Sequence, residues 1–142
     1  MKRLLLAALI GTATLVSFSS CKKEYITNYL PGVSYTFDIP NDSFGDWKRI
    51  SGTNTFVIEV PFPELDRQYF ETGHVNVAIS FNNDRPDYFR NIPSAIGAYD
   101  YRVDYKIGQV IVYADYVGIG TPAVPGEMIM KVTLTDADNG GQ

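Results

Sequence analysis

Tyr99-Asp100-Tyr101-Arg102-Val103-Asp104-Tyr105-Lys106-Ile107-Gly108-Gln109-Val110-Ile111-Val112-Tyr113-Ala114-Asp115-Tyr116 is the stretch that decides the fold. In its first half Tyr99, Tyr101, Val103 and Tyr105 alternate with Asp100, Arg102, Asp104 and Lys106. A period of two puts one set on each face of a half-buried strand. The second half, Gln109 to Tyr116, is apolar on both faces, which predicts a strand in the middle of a sheet. Between them lies a turn that can be built in two ways. Pairing Tyr105 with Val110 keeps the apolar faces aligned but places β-branched Ile107 in a turn that favours positive φ. A bulged turn on Gly108 relieves Ile107 and shifts the register by one residue, which flips the facing. Both alternatives stay open on the sequence.

Outward from this hairpin the same period recurs. Val33, Tyr35, Phe37 and Ile39 form one apolar set, Phe56, Ile58 and Val60 a second, Val75, Val77, Ile79 and Phe81 a third, and Met128, Met130, Val132 and Leu134 a fourth. All four sets should point inward. One segment departs from the pattern: residues 63–71 place Leu65, Tyr69 and Phe70 on one helical side, with Pro63 near the start and Gly73 beyond the end, which predicts a two-turn helix. Residues 41–46, 82–87 and 117–126 read as loops. The fold class expected is therefore mainly β: an antiparallel β-sandwich, immunoglobulin-like or similar, of about seven strands with one short helix. A small open barrel is the alternative.

The ends of the chain carry different information. Lys2 and Arg3 precede an apolar stretch, residues 4–16, which gives way to the small residues Ser17, Ser19 and Ser20 before Cys21. Basic, apolar, small is the order of a secretory signal. Gly11, Thr12 and Thr14 dilute the stretch below the roughly 20 apolar residues of a spanning helix. The expected organisation is a signal peptide over residues 1–20, Cys21 and a tether over 21–32, one domain over 33–136 and a flexible tail over 137–142. Residues 22–32, with Lys22, Lys23, Glu24 and the Pro31-Gly32 turn signal, lack an apolar period and span at most about 40 Å when extended.

Of the 142 residues, 12 are basic and 16 acidic; without Lys2 and Arg3 ten basic residues remain and the formal charge is −6. Such a balance does not suit nucleic acid. Cys21 is the single cysteine, so neither a disulfide framework nor a cysteine metal cluster can form within the chain. His74 is the single histidine and stands beside Gly73 with no nucleophile or ligand motif around it. Residues 41–46, with Asn41, Asp42, Ser43 and Asp46, and the group Asp136, Asp138, Asn139 and Gly140 each resemble part of a calcium loop, but neither ends in the bidentate Glu of the full pattern. No catalytic residue, metal site or cofactor is assigned. Among the aromatics, Trp47 reads first as a core plug and second as a platform for a sugar ring, while Tyr88, Phe89 and Tyr116 lie in or near loops and are the candidate ligand-binding aromatics.

Phe18-Ser19-Ser20-Cys21 resembles the lipobox of bacterial lipoproteins, with Phe18 where Leu is usual. The resemblance implies cleavage before Cys21 and attachment of acyl chains to it; anchoring of that kind needs more than one chain, because a single one binds only marginally. From Asp46-Trp47 through Pro63-Glu64-Leu65 and the tyrosine-rich hairpin to Met130-Lys131-Val132-Thr133-Leu134, the chain is similar to small Bacteroidota lipoproteins that end in one β-rich domain of no assigned activity. That likeness implies a bacterial outer-membrane location, lipid-anchored and facing the periplasm or the cell surface. The functional expectation is a non-catalytic structural or protein-interaction module, with glycan binding as the alternative. Envelope proteins or glycans are then the expected partners, besides the membrane itself. The two readings differ in geometry: a glycan groove presents two or more aromatic faces beside carboxylate or amide groups, while a protein-docking module presents an apolar patch or an unpaired strand edge.

Overall fold

β8 (Gln109–Tyr116) is the centre of the larger sheet, hydrogen-bonded to β3 (Thr55–Pro61) on one side and β7 (Tyr99–Lys106) on the other. That position explains its two apolar faces: Val110, Val112 and Ala114 are buried, and Ile111 and Tyr113 on the opposite face are half-covered. β2 (Lys48–Arg49) and β6 (Ser94–Ile96) complete this sheet in the order β2-β3-β8-β7-β6. A second sheet has the order β1-β9-β4-β5, from β1 (Val33–Ile39), β9 (Met128–Thr135), β4 (His74–Ser80) and β5 (Arg90–Ile92). Every pairing is antiparallel. The structure is a computed structural model that describes residues 32–81 and 86–136. The expected signal peptide, Cys21, the tether up to residue 31, part of the 82–87 loop and the tail at 137–142 lie outside the described residues.

One apolar core joins the two sheets. Ile39, Val75, Val77, Ile79, Ile92, Met128, Met130, Val132 and Leu134 come from the smaller sheet, and Phe56, Ile58, Val60, Tyr101, Val110, Val112 and Ala114 from the larger. Trp47, Phe62 and Leu65 plug the ends between them. This is the sandwich expected from the alternation, with two open sheets rather than a closed barrel. Among the described residues it has nine strands, of which β2, β5 and β6 are only two or three residues long. These short strands carry too few residues to produce a readable period.

The structure corrects several expectations of detail. The helix α1 is Arg67–Thr72 and begins four residues after Pro63. Pro63 and Glu64 instead occupy a turn in which the Leu65 N–H donates to the Phe62 carbonyl at 3.0 Å. Asp66 is the N-cap, its carboxylate accepting from the Tyr69 N–H at 3.0 Å, and a carboxylate at that position satisfies a donor that Pro63 could not. Phe81, expected inward, is 43% exposed because β4 ends at Ser80. Val33, the first residue of β1, and Tyr105, next to last in β7 with its ring against Phe70 of α1 at 6.2 Å, both also expected inward, are each 38% exposed.

The hairpin ambiguity is resolved in favour of alignment: Tyr105 pairs with Val110 and Lys106 with Gln109. Ile107 is spared positive φ, which falls on Gly108 alone at +78°. The turn is held from outside as well. The Gly108 N–H donates to the Leu65 carbonyl and the Gly108 carbonyl accepts from the Phe62 N–H, both at 2.8 Å.

Candidate functional site

Two poles follow from the registers. Val33 of β1, Leu134 of β9 and Val75 of β4 stand side by side, next to α1 and to the Phe62–Gly108 contact; Gln68 donates to Asp136 at 2.7 Å there. Chain entry at Gly32 therefore lies at the same pole as α1. Ile39, Met128 and the loop at 117–127 form the other pole, from which the turn at residues 41–45 reaches back along β3, with Phe44 lining a cleft shared with Pro61 and Gln109.

At three of the four sheet edges among the described residues a short strand gives partial cover: β2 pairs with Phe56 and Val57 of β3, β5 with residues 77–79 of β4, and β6 with residues 99–101 of β7. β1 is different. Its seven residues pair with β9 on one side, and among the described residues its other side has no strand partner. Ser34, Thr36 and Asp38 are exposed, Tyr35 and Phe37 are half-buried, and the strand holds neither Pro nor Lys. Pro, Lys and shortness are the usual devices that stop an edge from pairing with another chain. The inner face of the edge is well supported: Phe62 meets the Tyr35 ring at 5.1 Å and the Phe37 ring at 5.6 Å, both edge to face. Nothing in the sequence marked β1 as an edge, because alternation reports which face is buried and not which side is paired.

The candidate aromatics do not assemble into one groove. Trp47 is 7% exposed and belongs to the core, so its indole is not a surface platform. Tyr88 is 65% exposed, with the Arg90 guanidinium 5.8 Å from its ring centroid. Phe89 carries the Lys131 ammonium over its ring, 4.0 Å from the centroid. Tyr116 lies apart from these two: its ring packs on Tyr99 at 5.5 Å and its hydroxyl donates to the Ile119 carbonyl at 3.0 Å.

Tyr99 continues this second cluster, with Tyr101 at 5.8 Å and Phe81 beyond it. Together with Ile96, Gly97, Ala98 and Gly126 they line an apolar cleft of about 250 Å³. The Tyr99 hydroxyl donates to the Ala123 carbonyl at 2.5 Å, which ties the 117–127 loop down beside it. Burial pushes the Tyr101 phenol well above its ordinary range, and Tyr99 adds to that shift. The Tyr101 hydroxyl has no hydrogen-bond partner among the described residues.

An acidic cleft occupies the same pole, lined by Asp38, Asn41, Asp42, Ser43, Asp46 and Glu127 among others. Asn41 organises it as a turn, its side-chain oxygen accepting from the Ser43 N–H at 2.8 Å and its carbonyl from the Gly45 N–H at 2.7 Å. Among the described residues no three His, Cys, Asp or Glu side chains converge as metal ligands. His74 is exposed at the start of β4, with its carbonyl accepting from the Thr135 hydroxyl at 3.4 Å. Asp138, Asn139 and Gly140 lie outside the described residues.

On the outer face of the larger sheet, Arg102 donates to Asp115 at 2.6 Å and its guanidinium stacks on Tyr113 at 4.8 Å. The hydrogen bond from Arg102, reinforced by one from Thr55 at 2.6 Å, holds the Asp115 carboxyl below its ordinary range. No helix among the described residues is long and apolar enough to cross a membrane. The chain matches no family model, no curated protein and no solved structure.

Proposed function

We propose that the protein is an envelope lipoprotein, anchored through acyl chains on Cys21, whose β-sandwich is a non-catalytic protein-interaction module that docks through the open edge of β1. The observation that carries this reading is the seven-residue edge itself, unpaired along its whole length among the described residues and carrying neither Pro nor Lys. Strand addition to an exposed edge supplies main-chain hydrogen bonds, and alternate side chains set the specificity. The chain enters the domain at Gly32, directly before this strand, so a tethered domain presents β1 close to its point of attachment.

Glycan binding has less to draw on. The apolar cleft has aromatic walls but few polar atoms, and the acidic cleft has carboxylates but no aromatic ring. A third, smaller cleft combines Asp46, Lys48, Glu59 and Gln109 with Phe44 alone. None of the three sets two aromatic faces beside carboxylates or amides.

The test is capture from envelope extract with residues 22–142, comparing wild type with Thr36→Glu. Thr36 is exposed on β1, so the variant leaves the core intact. A specific envelope protein retained by wild type and lost with Thr36→Glu is the expected result. Equal capture by both, or binding confined to a glycan array, would refute docking at β1.

A further inference from the structure

We propose that the occupant of the β1 edge is β1 of a second copy, joined antiparallel about a two-fold axis at Thr36. This pairing rests on the docking role given to β1 above and names the partner. The strand reads Val33-Ser34-Tyr35-Thr36-Phe37-Asp38-Ile39, and centring it on Thr36 makes it self-complementary. Val33 then faces Ile39 of the second copy, Tyr35 faces Phe37, Ser34 faces Asp38 and Thr36 faces its own equivalent. The inner-face pairs are all apolar or aromatic, and cross-strand aromatic pairs stabilise an antiparallel ladder. On the outer face the single charge, Asp38, meets a serine hydroxyl that can donate to it, and no like charges oppose each other. A symmetric dimer requires this kind of isologous match, in which residue i meets j and j meets i.

The inner face of the strand is already supported. Phe62 already supports both Tyr35 and Phe37 from below, so the aromatic layer continues across the axis. The product is one eight-stranded sheet running β5-β4-β9-β1 in one copy and β1-β9-β4-β5 in the other. Antiparallel pairing places the two Gly32 positions just beyond opposite ends of β1, about 27 Å apart along the strand. The eleven residues 22–32 reach up to about 40 Å, so both Cys21 anchors can enter the same leaflet.

Two variants of residues 22–142 test the pairing. Thr36→Cys provides the only thiol in that chain, and paired Cα atoms at the axis would be about 4.5–5.5 Å apart, within disulfide reach. It should oxidise to a covalent dimer, while Asp104→Cys, exposed on the other sheet, should not. Sedimentation equilibrium of wild type should show a concentration-dependent dimer. Thr36→Glu should weaken it about fivefold or more, since the two introduced carboxylates oppose each other at the axis. In the monomer the introduced carboxylate stands next to Lys131, the cross-strand neighbour of Thr36 on β9, so loss of the dimer would not reflect loss of the fold.

A monomer at every concentration, with no Thr36→Cys dimer, overturns the proposal. So does a monomer that dimerises only when residues 22–31 are removed, which would give the edge to the chain's own preceding segment. If wild type is monomeric yet Thr36→Glu still loses a captured envelope protein, the second copy is excluded while docking at β1 stands.

Discussion

At Gly73 the chain turns from α1 into β4 through a gap that admits no side chain. A Cβ there would stand 2.8 Å from the Tyr69 carbonyl oxygen and 2.9 Å from that of Thr135, and both are backbone atoms of packed elements that cannot swing away. Its φ of −88° is open to any residue, so the requirement for glycine is close approach alone. Gly73→Ala should cost about 1–3 kcal/mol, as overpacking does, read as a lower urea midpoint with an unchanged slope. An unchanged midpoint would mean that α1 lifts off β4 at little cost. Tyr101 illustrates the opposite case. Its hydroxyl is buried without a partner among the described residues, and an unsatisfied buried polar group carries its full desolvation cost. Tyr101→Phe should leave stability equal or raise it by up to about 1 kcal/mol in thermal denaturation. A clear loss would reveal an acceptor for that hydroxyl.

Between elements, the polar ladder on the outer face ties three strands together: Thr55 of β3, Asp115 of β8 and Arg102 of β7. Because the Asp115 carboxyl sits below its ordinary range, the stability it contributes is present above about pH 4, the unfolded carboxylate value, and is lost as pH falls through the lower folded value. The side chains of Arg102 and Asp115 are 50% and 29% exposed, so solvent screening keeps the effect small. Asp115→Asn should cost at most about 1 kcal/mol at pH 7, and the gap from wild type should close in acid. Urea midpoints measured across pH would show this, and a gap that persisted unchanged below about pH 3 would argue against an ionic origin.

The same elements show what the sequence could convey. Period-two alternation placed the inward sets of β3 and β9 and the whole of β4 up to Ile79, because burial on one face writes a pattern into every second residue. The two apolar faces of β8 marked it as central. Helix α1 was located but begun too early, since Pro63 is compatible with a turn as well as with a first helical position, and the Asp66 cap decides between them only once Tyr69 is in place. The exposure of Val33, Tyr105 and Phe81 follows from their places at or just past the ends of their strands, where the alternation continues but the cover does not. The open edge of β1, the feature on which the functional proposal rests, was not legible at all. Which strands become neighbours is set by long-range pairing such as β1 with β9, about a hundred residues apart in sequence, and no local pattern records it.

For the whole molecule, location and docking make separate predictions. If acyl chains on Cys21 hold the protein at the envelope, Cys21→Ala should leave the membrane fraction or accumulate as a precursor, and fractionation followed by immunoblotting would show it. A mutant that lacks the signal peptide and still sediments with membranes as wild type does would exclude lipid as the anchor. Docking through β1 is the central claim, and it is tested most directly in intact cells with a photo-crosslinking amino acid placed at Thr36, and separately at Asp104 on the larger sheet. Covalent adducts to a second copy or another envelope protein are expected from position 36 and none from position 104. Absence of adducts at position 36, or the same adducts from both positions, would contradict docking at this edge.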